Sequence, residues 1–370
     1  MGWLPCARWT ACAHTDAVHL LHVVGARPNL PKLAPVYRAA ARRAGITQTV
    51  VHTGQHYDDA LFASLLADLA LPEPDINLGV GSASHAVQTA RILERLEPIV
   101  TDARPDWVVI YGDVNSTAAA AVVAAKLGIR SAHVEAGLRS GDRTMPEEIN
   151  RIVADRLASL LLTPSRDADE TLRAEGEPEC EIVFVGNVMI DSLFEALPRA
   201  RALSHPTGQA RHVLVTLHRP SNVDDRSRLS SLMTALRDVA AERPVVFPVH
   251  PRTRDRLTQW GIESGAVATV EPAGYLKMVA LMDGAHAVIT DSGGVQEETT
   301  ALGVPCFTVR ETTERPITVT SGTNRLVQDP ATLPGLVRDA TRPSGLPVLE
   351  GWDGRAGERV VDALTAGDLP

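Results

Sequence analysis

Short apolar runs alternate with helical segments through almost the whole chain, and this alternation constrains the fold more than any other feature. Residues 17–24, 46–52, 106–111, 129–134, 160–163 and 181–185 read as strands. Between them lie helical segments at about 30–44, closed by Gly45, and at 58–68. A longer one starts at Ser84 and runs towards Thr101, and another is opened by Gly112-Asp113 and ended by Gly128. A glycine just past the last helical residue supplies the left-handed conformation that stops a helix. The apolar positions Ile149, Ile152, Val153, Leu157 and Leu160 mark a further amphipathic helix, whose apolar stripe is the face such a helix ordinarily buries. Repeated βαβ of this kind specifies a doubly wound parallel sheet.

The pattern then breaks and restarts. Residues 197–211 hold Pro198, Ser204, Pro206, Gly208 and several arginines with no apolar period, the composition of an interdomain linker. Beyond it strands are expected at 213–217, 245–249, 267–270, 287–290 and 304–309, with helices at about 226–242, 275–282 and 294–302. A chain of 370 residues is too long for one ordinary core. The expected fold class is α/β, with two Rossmann-like doubly wound domains at 17–196 and 210–352. A final helix at 353–366 is expected to cross back to the first domain.

Charge narrows the choice of partner. The net charge of −9 argues against nucleic acid or an anionic membrane surface, so a polyanionic ligand would need its own local cations. The four cysteines match no zinc pattern and no disulfide framework, which points to a reducing compartment. No apolar run reaches membrane-spanning length. Residues 1–16 mix Arg8, His14 and Asp16 with Trp and Cys instead of forming the apolar core of a signal peptide. They are read as a disordered extension, or as residues upstream of the true start.

Candidate chemistry gathers where strands end. Asp291-Ser292-Gly293-Gly294 follows a strand and opens a helix carrying Glu297 and Glu298. Free N–H groups and the positive helix start suit a diphosphate, and an acid one turn on suits ribose hydroxyls. The alternative is a tight turn with Asp291 or Ser292 as N-cap. Gly25-Ala26-Arg27-Pro28-Asn29, followed by Lys32, is not the GxGxxG of a nicotinamide site, but its two cations suit a pyrophosphate. Taken singly, Arg27 and Lys32 read better as solvated charges, Asp113 as an N-cap, and His218 as structural. Thr144 and Glu147 fit a capping box. Glu135, between a buried strand and Gly137, is harder to explain that way. Taken together, Asp113, Glu135, Glu147 and His218 suit proton transfer at carbon while a charged group leaves.

The ordered motifs resemble one family closely. GARPN…K (25–32), TGQH (53–56), YGDVNST (111–117), HVEAGLRS (133–140), MPEEINR (145–151) and VGNVMID (185–191) occupy the first half. TLHRPSNVD (216–224), PVHPR (248–252), TDSGGVQEE (290–298) and TTERP (312–316) follow in the second. The set resembles the non-hydrolysing UDP-N-acetylglucosamine 2-epimerases. The resemblance implies a glycosyltransferase-B-like pair of domains, with the active site in the cleft between them and UDP held mainly by the second. It also implies inversion at C2 of a UDP-linked 2-acetamido sugar, through loss of UDP to a 2-acetamidoglucal and re-addition, with no nicotinamide and no metal.

By the same resemblance Asp113, Glu135 and Glu147 are the acid/base and stabilising carboxylates. Arg27, Lys32 and His218 stabilise the departing pyrophosphate. Arg139, His250, Ser292, Gly293, Gly294, Glu298 and Arg315 contact substrate or UDP. A cytoplasmic homodimer is implied. Asn29, Tyr57, Asp58 and Ile317 depart from frequent family residues, and Tyr57 and Asp58 put activation by a second substrate molecule in question. Three other activities stay open: a 2-epimerase of another UDP-2-acetamido sugar such as a diacetamido uronic acid, whose relatives share the Asn29 type of motif, a glycosyltransferase-B enzyme, and a hydrolysing relative. A sugar-nucleotide sensor without turnover is the non-enzymatic alternative.

Overall fold

A computed structural model describes residues 17–54, 59–203 and 211–366. The strands of the first sheet are β1 (Val18–Val24), β2 (Ile46–His52), β3 (Ile76–Asn77), β4 (Trp107–Tyr111), β5 (Ser131–Val134), β6 (Leu160–Thr163) and β7 (Ile182–Phe184). Their order is β3-β2-β1-β4-β5-β6-β7. The second sheet contains β8 (Val213–Thr216), β9 (Val245–Pro248), β10 (Ala268–Val270), β11 (Ala287–Thr290), β12 (Cys306–Thr308) and β13 (Asn324–Leu326), ordered β10-β9-β8-β11-β12-β13. Pairing is parallel between all these neighbours. Every residue of β4, β5, β6 and β11 is buried, so both faces are covered, as an all-parallel sheet requires.

Each order reverses once, between β1 and β4 and again between β8 and β11. Loops leaving two such strands diverge, and the crevice at their carboxyl ends is where ligands of open α/β sheets bind. Register fixes what lies there. Tyr111 pairs with Val134, so Gly112-Asp113 and Glu135 leave the first sheet side by side. Thr216 pairs with Thr290, which does the same for His218 and Asp291 in the second.

The chain divides into two compact units, one ending at Ser192 and resuming at Glu350, the other Leu193–Leu349. The first packs Leu21, Val108, Ile110, Ile92 and Leu96, and the second Leu229, Leu232, Leu236, Phe247 and Ile289. Burying such side chains is worth about 1.5–3 kcal/mol each. The last helix, Ala356–Thr365, lies against the helix Leu30–Ala41 of its own unit. Its start is held by Asp191, which accepts from Gly357 N at 2.8 Å.

Two expectations fail locally. Residues 197–201, read as linker, complete the helix Val188–Arg201, with Pro198 inside it. The apolar period there is carried by small residues, Ala196 and Ala200, which a pattern search underweights. The helix Pro146–Leu157 is also turned inside out. It buries Glu148, Arg151, Ala154 and Asp155, while Ile149 and Leu157 remain 45% and 37% exposed. No helix among the described residues is long and apolar enough to cross a membrane. Residues 1–16, and the Gln55, His56, Tyr57 and Asp58 positions of the proposed activation site, lie outside the described residues.

Candidate active site

At the end of β5 the chain turns through Glu135 with a left-handed φ of +76°. For a residue other than glycine this costs on the order of 1–3 kcal/mol and persists only where the surroundings enforce it. Here Glu135 N and Ala136 N both donate to Leu162 O, at 3.0 and 3.1 Å. The buried Glu135 carboxylate ion-pairs with the buried Lys32 ammonium. Gly112 makes room for that pair, since a Cβ there would lie 2.5 Å from Lys32 Nζ. Lys32, expected to face a pyrophosphate, instead holds Glu135.

Asp113 leaves the neighbouring strand and is not an N-cap, because Val114 occupies that position of the helix Asn115–Leu127. Its carboxylate ion-pairs with Arg151, yet the Asp113 side chain keeps 23% exposure. Arg151 also donates to Glu148 Oε2 at 2.7 Å. Glu148 in turn accepts from Ser140 N and Gly141 N, each at 2.9 Å, and so folds the intervening loop. The adjacent glutamates thereby separate. Glu148 is buried and committed, whereas Glu147 is half-buried and, among the described residues, without a hydrogen-bond partner. The capping box does not form, because Met145 is the N-cap and Thr144 Oγ1 donates to Asp142 Oδ1 at 2.6 Å.

Two arginines differ from each other in the same way. Arg27, half-buried in the turn Arg27–Asn29, has no ion-pair partner among the described residues. Asn29 fixes that turn, accepting from Gly25 N and Ala26 N and donating to Tyr111 O at 2.8 Å. Arg139, expected among the substrate contacts, is committed elsewhere. It forks onto Glu175 at 2.8 and 2.9 Å and reaches Asp155 at 2.7 Å.

In the second unit Asp291 is fully buried at the end of β11. It accepts from Arg219 N at 2.9 Å, from His218 N and from Asn222 Nδ2, and its Oδ1 lies 3.1 Å from His218 Nδ1. Burial pushes the Asp291 carboxyl up, but these partners, His218 above all, outweigh it and hold it low. Asp291 thereby orients a half-exposed imidazole, held at Nδ1. The exposed His250 ring lies 6.1 Å from it, and His250 Nδ1 accepts from Arg252 N at 3.3 Å.

The helix Gly293–Ala301 starts at the same strand end, with half-buried Ser292 as N-cap and Gly294 in its first turn. The Ser292 side chain makes no cap bond, so the first N–H groups stay available. A Cβ on Gly293 would lie 2.5 Å from Arg315 Nη1, so a larger residue there would displace the end of that arginine. Arg315 itself is buried between Glu297 at 2.9 Å and Glu314 at 2.7 Å, behind the turn. Glu314 is held far below the usual range; burial opposes this, and Arg315, Arg310 and Arg219 overcome it. Glu298 is buried, bonded by Tyr275 OH at 3.1 Å, and raised by desolvation to about 8.

Sequence reasoning placed Asp113, Glu135, Arg27 and Lys32 at one set of strand ends and His218, Ser292, Gly293 and Gly294 at another, and the structure puts them there. It passed over Arg151, Asp155 and Tyr275. For Arg151 a signal existed in its helical spacing of three and four from Glu148 and Glu147.

Two all-parallel Rossmann-like units, one with carboxylates at its switch point and one with a glycine-opened helix at the same place, define the glycosyltransferase-B-like class of sugar-nucleotide proteins. The UDP-N-acetylglucosamine 2-epimerase family model matches residues 38–365. A UDP-N-acetylglucosamine 2-epimerase of Methanocaldococcus jannaschii is 37% identical over 367 residues, covering 93% of this chain and 98% of that one. A UDP-2,3-diacetamido-2,3-dideoxy-D-glucuronate 2-epimerase of Pseudomonas aeruginosa is 40% identical over 311 residues, covering 83% and 88%. The crystal structure of the M. jannaschii UDP-GlcNAc 2-epimerase in complex with UDP-GlcNAc and UDP superposes with a TM-score of 0.87 at 38% identity, covering 95% of this chain and 100% of that one. The chain belongs to the UDP-N-acetylglucosamine 2-epimerase family.

Proposed function

We propose that the chain interconverts UDP-N-acetylglucosamine and UDP-N-acetylmannosamine by inversion at C2. The observation that carries this reading is the acidic set of the first unit: Asp113 and Glu135, each against a cation, with Glu147 unpaired among the described residues. A C2 proton is not acidic, so its removal must accompany rupture of the C1–O bond to UDP. One carboxylate takes the proton, the C1–O electron pair leaves with the pyrophosphate, and a C1–C2 double bond forms. A second carboxylate protonates C2 from the opposite face, and a pyrophosphate oxygen re-forms the bond to C1. Carboxylate charge stabilises the oxocarbenium character at C1, and no nicotinamide or metal enters the scheme.

Arg27 and His218 stabilise the negative charge on the departing diphosphate, while Lys32 acts through Glu135. The free N–H groups at Gly293 and Gly294 take the diphosphate beside Ser292, whose own N–H donates to Thr290 Oγ1 at 2.9 Å, Glu298 takes the ribose, and Arg315 supports the glycine turn. His250 lies beside His218 as a further substrate contact. A diacetamido uronic acid analogue is the second substrate reading, favoured by the 40% identity to the P. aeruginosa protein. Proton NMR of a panel of UDP-2-acetamido sugars tests both. Turnover of UDP-N-acetylglucosamine supports the first, turnover of the uronic acid alone the second, and no epimer from any sugar defeats both.

We also infer a cytoplasmic homodimer. Cysteine spacing without a disulfide framework suits a reducing compartment. The exposed Ile149 and Leu157, with the partly buried Ile152 and Val153 between them, suit burial against a second copy. Light scattering should report a dimer, and Ile149→Glu should yield monomer. A wild-type monomer at micromolar concentration would remove that inference.

A further inference from the structure

The polar face that helix Pro146–Leu157 turns inward meets the Gly112–Asp113 turn, where three successive acceptors are held by donors anchored to that helix. Gly112 O faces His133 Nε2 at 2.8 Å, and His133 Nδ1 lies 2.6 Å from Asp155 Oδ1. Asp113 O accepts from Asn150 Nδ2 at 2.9 Å. The Asp113 carboxylate accepts from Arg151. A carbonyl has no proton to give, so His133 donates at Nε2. Burial pushes the Asp155 carboxyl up, but His133 and then Arg139 outweigh it and keep it low. Its second oxygen accepts from Gly137 N at 3.1 Å and Arg139 Nη1 at 2.7 Å, which fixes Asp155 in turn.

Stability alone does not account for this arrangement. A buried ion pair commonly contributes no more than apolar side chains of the same shape. The helix has such side chains in Ile149 and Leu157 and leaves them outside. Fixing a carboxylate after a glycine does account for it. Gly112 has a φ of +63°, and a glycine hinge before a reacting group needs external restraint.

We propose that Asn150, Arg151 and, through His133, Asp155 are positioning residues that hold the Asp113 carboxylate in register for proton transfer. This assignment rests on the epimerase reading above. The test compares wild type with Arg151→Gln, Arg151→Lys, Asn150→Ala and Asp155→Asn, using Arg156→Gln as a control on the exposed side of the same helix.

Amide hydrogen exchange reads the turn without turnover. In Arg151→Gln and Asn150→Ala, residues 112–117 should exchange faster while β8 to β13 stay unchanged. Steady-state epimerisation reads function. For Arg151→Gln, kcat should fall about 10²-fold, the loss expected from a displacement of about 1 Å, with KM moving less than about threefold. Arg151→Lys should recover part of that loss, and Arg156→Gln should match wild type in both measurements.

Unchanged exchange and unchanged kcat in Arg151→Gln and Asn150→Ala would overturn the proposal. So would a loss of kcat matched by an equal rise in KM, or faster exchange spread over the whole first unit. If Arg151→Gln does not fold, Asn150→Ala and Arg151→Lys decide by the same criteria. A wild-type protein that does not epimerise removes the functional reading, and the exchange measurement then still decides whether the helix holds the turn.

Discussion

Replacing Glu298 by Gln should change how the second unit responds to pH. Desolvation lifts the Glu298 carboxyl from 4.5 to about 8; the Tyr275 hydrogen bond opposes the shift and the Glu297 charge adds to it. Between those values the folded chain keeps a proton that the unfolded chain has released, so stability falls as pH rises through the window. From about pH 5 to about pH 8.5 the linkage amounts to about 4 kcal/mol. For a unit of this size that is about 8–16 °C in Tm. Glu298→Gln keeps the shape and removes the titration. Its Tm minus that of wild type should therefore grow by that amount across the range, read by scanning calorimetry at matched ionic strength. Other buried acids, such as Asp191 raised to about 6 by burial, act on both proteins and cancel in the difference. A difference that stays flat with pH would refute the neutral buried carboxyl.

Other expectations concern the two strand-end sites and one arginine. Glu135→Gln and Glu147→Gln should each lose at least about 10²-fold in turnover while UDP affinity by calorimetry stays within about threefold. Near-normal turnover in either variant withdraws that residue's catalytic role. Gly293→Ala places a Cβ 2.5 Å from Arg315 Nη1 and 2.6 Å from Glu314 Oε1. It should weaken UDP binding by about tenfold or more, about 1.4 kcal/mol, and an unchanged Kd would mean that this helix start does not carry the diphosphate. Arg139→Met removes the cation between Asp155 and Glu175. It should destabilise the protein by about 3–5 kcal/mol with UDP affinity unaltered, whereas weakened UDP binding at wild-type stability would restore Arg139 as a ligand contact.

The layout of both sheets was legible because parallel strands covered on two faces appear as unbroken apolar runs, as in Trp107–Tyr111. The candidate sites were legible as places in the fold because strand ends at a switch point are where chemistry collects, and glycine, carboxylate and imidazole stand there in order. What stayed hidden depends on contacts between residues remote in sequence. Lys32 and Glu135 are 103 positions apart, and no periodicity encodes their pairing. Apolar spacing assigned the wrong inner face to Pro146–Leu157, since that rule assumes burial follows hydrophobicity, and here hydrogen bonds to a strand-end turn decide instead. For the same reason sequence alone did not say which of Glu147 and Glu148 is committed to the loop, or that Arg139 faces Asp155.

The central claim is that this chain exchanges the C2 proton of a UDP-linked sugar during inversion. Incubating the protein with UDP-N-acetylglucosamine in D2O, without any acceptor, and following proton NMR tests it directly. The account predicts loss of the C2 proton signal as deuterium enters, together with the appearance of UDP-linked N-acetylmannosamine. Recovery of unlabelled substrate with no epimer would contradict it.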